Sequence, residues 1–411
     1  MGSQETSLPH GPTKGDHILS IANLGHIALM MGPIGANMLL DEGDKAGPER
    51  PLLICPFQIH VIPPDTNRSS QPTHLTTLRC MATETALEPE LVICDAHHHL
   101  WDNFELFGNL ERAYLTDDFR RDLEAGHRVE QTVYIEVRSH YRESGPEELR
   151  PVGETEWVVS LDTSGGIAAG IVGFADLRLG DAVEPVLAAH IDAGAGRFRG
   201  VRHASAWDAS PDIRNSGSNP TERMLEQPGF RRGVATLGRM GLSFDAWLFH
   251  PQIPEFTALA RSQPEVTMVL DHLGGPIGIG PYAGHRDEVL ANTRQALTEL
   301  VPCENAVIKL GGIGMTILGL KWHKRGRLAS SAELVDAWGP IVRWCIETFG
   351  PQRCMFESNF PVDSHSADYV TLWNAFKLMT QDLSASERAL LFHDTAARVY
   401  RLSSSRETTN A

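Results

Sequence analysis

From residue 89 onward, short apolar runs alternate with amphipathic helical stretches, and that alternation leaves few architectures open to the chain. The runs are Leu91–Cys94, Gln131–Val137, Gly166–Asp176, Phe198–His203, Leu242–His250, Val266–His272, Ala306–Leu310 and Cys354–Asn359. Strands separated by helices pair in parallel, because a parallel pair needs a long crossover and a helix supplies it. Eight such units in succession predict an α/β fold of the (β/α)8 type, a TIM barrel. The helices are legible as well. Pro228 to Met240 places Phe230, Val234, Leu237 and Met240 near a helical period, and Gly241 stops it. Ser330-Ser-Ala-Glu333 is a capping box, followed by Leu334, Trp338, Ile341, Val342, Cys345 and Phe349 on one face. Ser384-Ala-Ser-Glu387 is a second one and opens a helical region that runs to Leu402.

Residues 1–88 break this pattern. They are rich in Pro, Ser, Thr, Gly and Asn, show no sustained period, and are predicted to form a largely disordered N-terminal extension before a barrel domain over residues 89–405. Ile18 to Leu40 carries no charged side chain, but Asn23, Gly25, His26, Gly32, Pro33, Gly35 and Asn37 break and polarise it. A secretory signal needs a basic start and a compact apolar core, and a transit peptide needs early arginines; the first arginine here is Arg50. No stable membrane insertion is therefore expected.

Composition narrows the partners. With 42% hydrophobic and 21% charged residues, the chain is a globular one with ample core. Its net charge of −16 argues against nucleic acid and anionic membranes, which both call for a basic face. A small anionic substrate stays open, because one local Arg overrides a global field. The six cysteines are scattered without a Cys-x-x-Cys pair, and Cys94, Cys345 and Cys354 sit in apolar segments. A reducing compartment, the cytoplasm, fits best. Exposed helices on such barrels often pair, so a homo-oligomer is also open.

The chemistry gathers at the strand ends. Leu91-Val-Ile-Cys94 runs into Asp95-Ala-His-His-His99, where residues i and i+2 share a face, so His97 and His99 can aim two imidazoles at one point. Two neutral imidazoles suit a divalent transition metal. Strand two ends in Glu136 and Arg138, and strand four in Arg202 and His203. Strand five ends in His250, and strand six in Asp271 and His272. Strand eight carries Glu357 and Asn359, with Asp363 just beyond. Each has a plain structural reading as a turn residue, a satisfied core histidine or an ion-pair partner. A barrel, however, brings all these ends to one rim, where active sites of this fold lie. Two long connections, Ser139–Thr155 and the glycine-rich Gly311–Ala329 with Lys321, Lys324 and Arg325, leave the same rim and are lid candidates.

The set Asp95-Ala-His-His-His99, Phe249-His-Pro251, Leu270-Asp-His-Leu-Gly-Gly275 and Cys354-Met-Phe-Glu-Ser-Asn-Phe-Pro-Val362 resembles the amidohydrolase superfamily. Within it, the chain is similar to the "amidohydrolase 2" branch that includes sugar-lactone and dicarboxylate-lactone hydrolases. Ala396-Ala-Arg-Val-Tyr-Arg-Leu402 is similar to that family's terminal helix, and the resemblance spans about residues 90–402. It implies that His97, His99 and His250 are metal ligands, with zinc as the usual metal. It also implies that His272 contacts either the metal or the reacting carbonyl. The strand-eight position normally holds an Asp that binds metal and moves protons; here it is Asn359, which cannot accept a proton at neutral pH. Some members of the branch work without metal, and the missing Asp makes that route more natural here. Glu357, Asp363, Glu136 and Asp271 are then the candidate bases.

The expected activity is hydrolysis of a lactone or cyclic ester of a small acid. His272, Asn359, Glu357 and Asp363 form the catalytic group, and Arg202, Arg138, His203 and Glu136 the substrate-binding group. Arg202, Arg138 or the lid cations could hold a substrate carboxylate. The competing expectations are a non-oxidative decarboxylase, which uses the same kind of His cluster, a C–N hydrolase, and a catalytically silent barrel that binds a partner.

Overall fold

The computed structural model describes residues 84–403, apart from residues 103, 107 and 108. The expected disordered extension lies outside the described residues as far as residue 83. Residues 84–88, which the sequence places in that extension, are bonded to the folded body. Ser331 N–H donates to Glu84 Oε1 at 2.8 Å, Leu87 N–H to Asn374 Oδ1 at 2.8 Å, and Lys377 Nζ to the Leu87 and Glu88 carbonyls at 2.8 and 2.9 Å.

Eight parallel strands form one sheet in chain order: β1 Val92–His98, β2 Arg128–Ile135, β3 Gly170–Gly173, β4 Phe198–Arg202, β5 Ser243–Ala246, β6 Met268–Leu270, β7 Ala306–Lys309 and β8 Cys354–Met355. A small antiparallel hairpin, Phe104–Leu106 with Asn109–Glu111, follows β1. The chain beyond β8 draws the sheet towards a closed ring. Asn359 N–H donates to His97 O at 2.8 Å and His99 N–H to Phe360 O at 2.7 Å, a bridge in parallel sense between the ends of β8 and β1. The predicted (β/α)8 barrel is therefore the architecture found. Most observed strands are shorter than the apolar runs that predicted them. β5 ends at Ala246 rather than His250, and β6 at Leu270 rather than His272, because the chain bends into 3-10 turns at His250–Gln252 and His272–Gly274.

Helices α1 Thr116–Leu123, α2 Val152–Ser160, α3 Glu184–Ala193, α4 Pro228–Arg239, α5 Ile253–Ser262, α6 Arg286–Leu300, α7 Ser331–Phe349 and α8 Tyr369–Met379 follow the strands. Both sequence capping boxes are formed: Ser330 Oγ and Ser384 Oγ accept from the Glu333 and Glu387 N–H groups. Apolar faces of the helices and the outward faces of the strands share one large core. A second cluster fills the barrel's inside. Cys94, Ala96, Val133, Ile135, Val172, Val269, Val307 and Met355 meet Ala396, Val399 and Tyr400, contributed by the last helical stretch. Among the described residues, no helix is long and apolar enough to cross a membrane.

Asp95 ties the closure together. Buried beneath the rim, it accepts from Ser358 N–H at 2.8 Å, Tyr369 O–H at 3.0 Å and His97 N–H at 3.3 Å, linking β1 to the chain after β8 and to α8. Removing a partner from buried donors costs roughly 1–3 kcal/mol per donor. Asp95→Ala is therefore expected to destabilise the barrel by about 2–4 kcal/mol, read as a lowered midpoint in urea unfolding. An unchanged midpoint would show that the closure does not depend on this carboxylate.

Candidate active site

The rim chemistry begins at the end of β1. His97 and His99 share a face as the two-residue period requires, and their Nε2 atoms lie 3.1 Å apart. His98, between them, points the other way, stacks on Phe119 with ring centroids 4.2 Å apart, and meets Thr132 Oγ1 at 2.9 Å. His99 Nδ1 donates to Ile135 O at 2.8 Å, which fixes its proton there and leaves Nε2 as a lone pair facing His97. His97 has donors and acceptors at both nitrogens. Nδ1 lies 2.9 Å from Glu357 Oε2 and 3.3 Å from Lys309 Nζ, and Nε2 lies 3.3 Å from Arg202 Nη1. Burial among these cations keeps the ring neutral, well below the usual imidazole range.

Glu357 stands at the centre. Fully buried, it accepts from His272 Nδ1 at 2.7 Å through Oε1, while Oε2 faces His97 Nδ1. With its Nδ1 proton given to a carboxylate, His272 presents a basic Nε2, the arrangement of a carboxylate-oriented general base. The chain leaving β7 makes room for this pair by lacking side chains. A Cβ at Gly311 would collide with Glu357 Cγ, one at Gly312 with the His272 ring, and one at Gly314 would come within 2.9 Å of Asp363. His272 and Asn359 have φ of 55° and 54°, and Arg138 63°, left-handed conformations that a fold tolerates mostly where function demands them.

Below this pair lies an ionic floor. Lys309, on β7 and fully buried, is 3.0 Å from both Asp245 Oδ2 and Asp271 Oδ1. Asp245 also accepts from Tyr400 O–H at 2.5 Å and Ser243 O–H at 3.0 Å. Arg202 is held by Glu136, which accepts from its Nε at 2.7 Å through Oε1 and from Nη2 through the backbone carbonyl. Lys309 and Asp245 escaped the sequence reading. The signal was there: a Lys inside the apolar run Ala306–Leu310 and an Asp inside Leu242–His250, each far too costly to bury unpaired.

Above the floor opens a cavity of about 470 Å³, a volume suited to a small molecule. His99, Glu136, Arg138, Arg202, His272 and Asn359 line it, so six of the sequence-predicted residues face one space. Trp247, Phe249, Met315 and Ile317 supply an apolar wall. Both lid candidates contribute, Ser139 from the first and Met315 and Ile317 from the second, but Lys321, Lys324 and Arg325 do not line the cavity. Arg325 instead pairs with Glu333 at 2.6 Å. A third wall, Arg214 to Gly217 after β4, was not anticipated, because nothing in its composition separates it from an ordinary surface loop.

Three predicted residues lie elsewhere. His250, expected as a metal ligand, sits in the 3-10 turn beyond β5. Its ring packs on Tyr282 with centroids 5.1 Å apart, its Nδ1 accepts from Ile277 N–H at 3.4 Å, and burial lowers it to about 4. The early end of β5 is the reason. His203 follows the inward Arg202 by one residue and so faces outward, where Nδ1 accepts from Leu177 N–H at 3.2 Å and the ring packs between Phe174 and Phe230. Asp363 is buried behind Asn359, accepting from Asn359 Nδ2 at 2.8 Å and Gly314 N–H at 2.7 Å, and burial pushes it up to about 7. It supports the site rather than facing the cavity.

The donor set fits a divalent cation. His97, His272 and Glu357 offer ligand atoms within 4.8 Å of one another, and Asp271 Oδ2 has no hydrogen-bond donor among the described residues. His97 and Glu357 belong to this group; His250 does not.

Comparison with known proteins agrees with this geometry. The sequence matches the amidohydrolase family over residues 94–402. It is 33% identical over 330 residues to the uncharacterized protein y4mH of Sinorhizobium fredii, covering 76% of this chain and 99% of that protein. It is 31% identical over 251 residues to the L-fucono-1,5-lactonase of Burkholderia multivorans, covering 61% of this chain and 77% of that one. A crystal structure of an amidohydrolase from Burkholderia multivorans with bound zinc superposes with a TM-score of 0.60 at 27% identity, covering 76% of this chain and all of that one. The barrel, its rim of imidazoles and carboxylates, and the extent of the match place the conclusion beyond the motifs alone: this chain is a hydrolase that belongs to the amidohydrolase family.

Proposed function

We propose that this enzyme opens a lactone ring by adding water. The observation that carries the reading is the His272–Glu357 pair facing a small-molecule cavity, with the Arg202 guanidinium on the same wall. The relative named L-fucono-1,5-lactonase supports the substrate class. His272 Nε2 takes a proton from water as its oxygen bonds to the lactone carbonyl carbon, and Glu357 stabilises the imidazolium that forms. Arg202 donates to the carbonyl oxygen as negative charge develops there. When the ring C–O bond breaks, His272 returns the proton to the departing alcohol oxygen, leaving a hydroxy acid. Asp363 and Asn359 brace the wall beside His272, and the glycines after β7 leave room for the Glu357 side chain and the His272 ring.

A divalent metal, zinc by analogy with the Burkholderia structure, would be held by His97 and Glu357, two of the three grouped ligand residues, with His272 kept as the base, and would supply polarisation of the carbonyl. Lys309 places one positive charge beneath this group, paired with Asp245 and Asp271. A cytoplasmic location is part of this reading, and the buried free thiols of Cys94, Cys303, Cys345 and Cys354 support it.

On a panel of five- and six-membered lactones followed by acid release, His272→Ala is expected to lower kcat/KM by at least ~100-fold. Glu357→Gln is expected to lower kcat at least ~10-fold with little change in KM, because it orients a base rather than binding substrate. Full turnover in His272→Ala would remove the imidazole from the reaction, and release of CO₂ in place of acid would replace the hydrolytic reading. Metal analysis of protein purified without added metal is expected to find about one divalent ion per chain, lost in His97→Ala. Full activity in metal-free protein would leave carbonyl polarisation to Arg202 alone.

A further inference from the structure

The cavity's charges do not cancel. Glu136 is the one carboxylate among the lining residues, and Arg202 neutralises it. Arg138 and Arg214 also line the cavity, are exposed at its mouth, and have no carboxylate partner among the described residues. Two guanidiniums without a carboxylate partner among the described residues, lining one small cavity on a chain of net charge −16, form a local positive site that the overall field would otherwise oppose.

Arg138 is aimed rather than merely present, and the loop that carries Arg214 is fixed. Glu154, buried on α2, accepts from the N–H groups on either side of Arg138, Val137 at 2.8 Å and Ser139 at 3.4 Å, and so holds Arg138 in its left-handed conformation. The Arg138 guanidinium then lies directly on Gly217, where a Cβ would collide with Nη1. Gly217 has ordinary backbone angles, so it is the space above it, not its flexibility, that is used. The loop carrying Arg214 and Gly217 is pinned as well. Asp208 N–H donates to Asn215 Oδ1 at 2.7 Å, Asn215 Nδ2 to Asp208 O at 3.1 Å, Ser216 N–H to Ala206 O at 2.9 Å, and Tyr282 O–H to Asp208 Oδ2 at 2.8 Å.

We propose that Arg138, placed by Glu154 and Gly217, and Arg214, which lines the same cavity, bind a carboxylate on the substrate, so that the preferred substrate is a lactone bearing an acid group rather than a neutral sugar lactone. This inference rests on the lactonase reading for the reacting end of the molecule. The substrate carbonyl lies at His272 and Arg202, and its carboxylate reaches out to the mouth, where charge-assisted bonds from two guanidiniums fix its orientation.

The test compares δ-valerolactone with its ring-carboxylated analogue in the full-length enzyme. The wild type is expected to favour the carboxylated lactone by at least ~10-fold in kcat/KM, and Arg138→Gln and Arg214→Gln each to lower that ratio ~10- to 100-fold, mainly through KM. Gly217→Ala, which leaves both arginines in the chain, is expected to lower the ratio in the same direction by displacing Arg138, with an unchanged unfolding midpoint. No preference in the wild type, or a ratio untouched by these variants, overturns the inference while leaving lactone hydrolysis standing. If neither lactone is opened, the lactonase reading fails, and the site is then judged by calorimetric binding of the ring-opened dicarboxylate. Binding that weakens at least ~10-fold in both arginine variants upholds the anion site; equal binding overturns it.

Discussion

The Glu357 carboxylate, shared between His272 Nδ1 and the face of His97, is the interaction on which the rest of the site depends. A charge buried so completely is tolerable only if its surroundings compensate it, and here they do so in two ways. Two imidazoles and the His272 backbone N–H meet its oxygens, and the chain leaving β7 gives up its side chains so that the carboxylate and the ring can sit where they do. Gly311, Gly312 and Gly314 are therefore explained less by the turn they make than by what they leave empty. The left-handed backbone of His272 and Asn359 belongs to the same arrangement. Two elements bend sharply at the rim so that each can present one side chain inward.

How much of this the sequence disclosed follows from the physics of each element. The alternation of strand and helix was legible because burial imposes it on every unit, and His97 and His99 were legible because a strand's two-residue period is rigid. The same rule read the other way accounts for His203, one residue past the inward Arg202 and so turned outward. His250 was misplaced because an apolar run measures burial, not strand length. Trp247, Leu248 and Phe249 are apolar or wall residues beyond the strand, and the chain has already bent by the time it reaches His250. Glu154 and Gly217 carried no sequence signal. Their roles exist only through contacts across tens of residues, one with the backbone around Arg138 and the other with its guanidinium.

Charge is arranged in layers. The deepest layer sets the fully buried Lys309 between Asp245 and Asp271; with burial itself, its charge keeps His97 neutral. The middle layer pairs Arg202 with Glu136 at the cavity floor, one charge of each sign. In the outermost layer, at the mouth, Arg138 and Arg214 have no carboxylate partner among the described residues. Under the proposed reaction, positive charge stands free where a ligand would first arrive and is matched where the ring would open, so attraction and catalysis would draw on different residues.

The inside of the barrel is completed from an unexpected direction. Ala396, Val399 and Tyr400 pack into its apolar interior, and the Tyr400 hydroxyl reaches Asp245 within the ionic floor. The floor of the site therefore joins two residues 155 positions apart in the chain. Asp245 and Lys309 face an incomplete interior until Ala396, Val399 and Tyr400 are seated, whatever the order in which β1 to β8 pair. Docking of the last described helical stretch and the charge balance at Asp245 are one event.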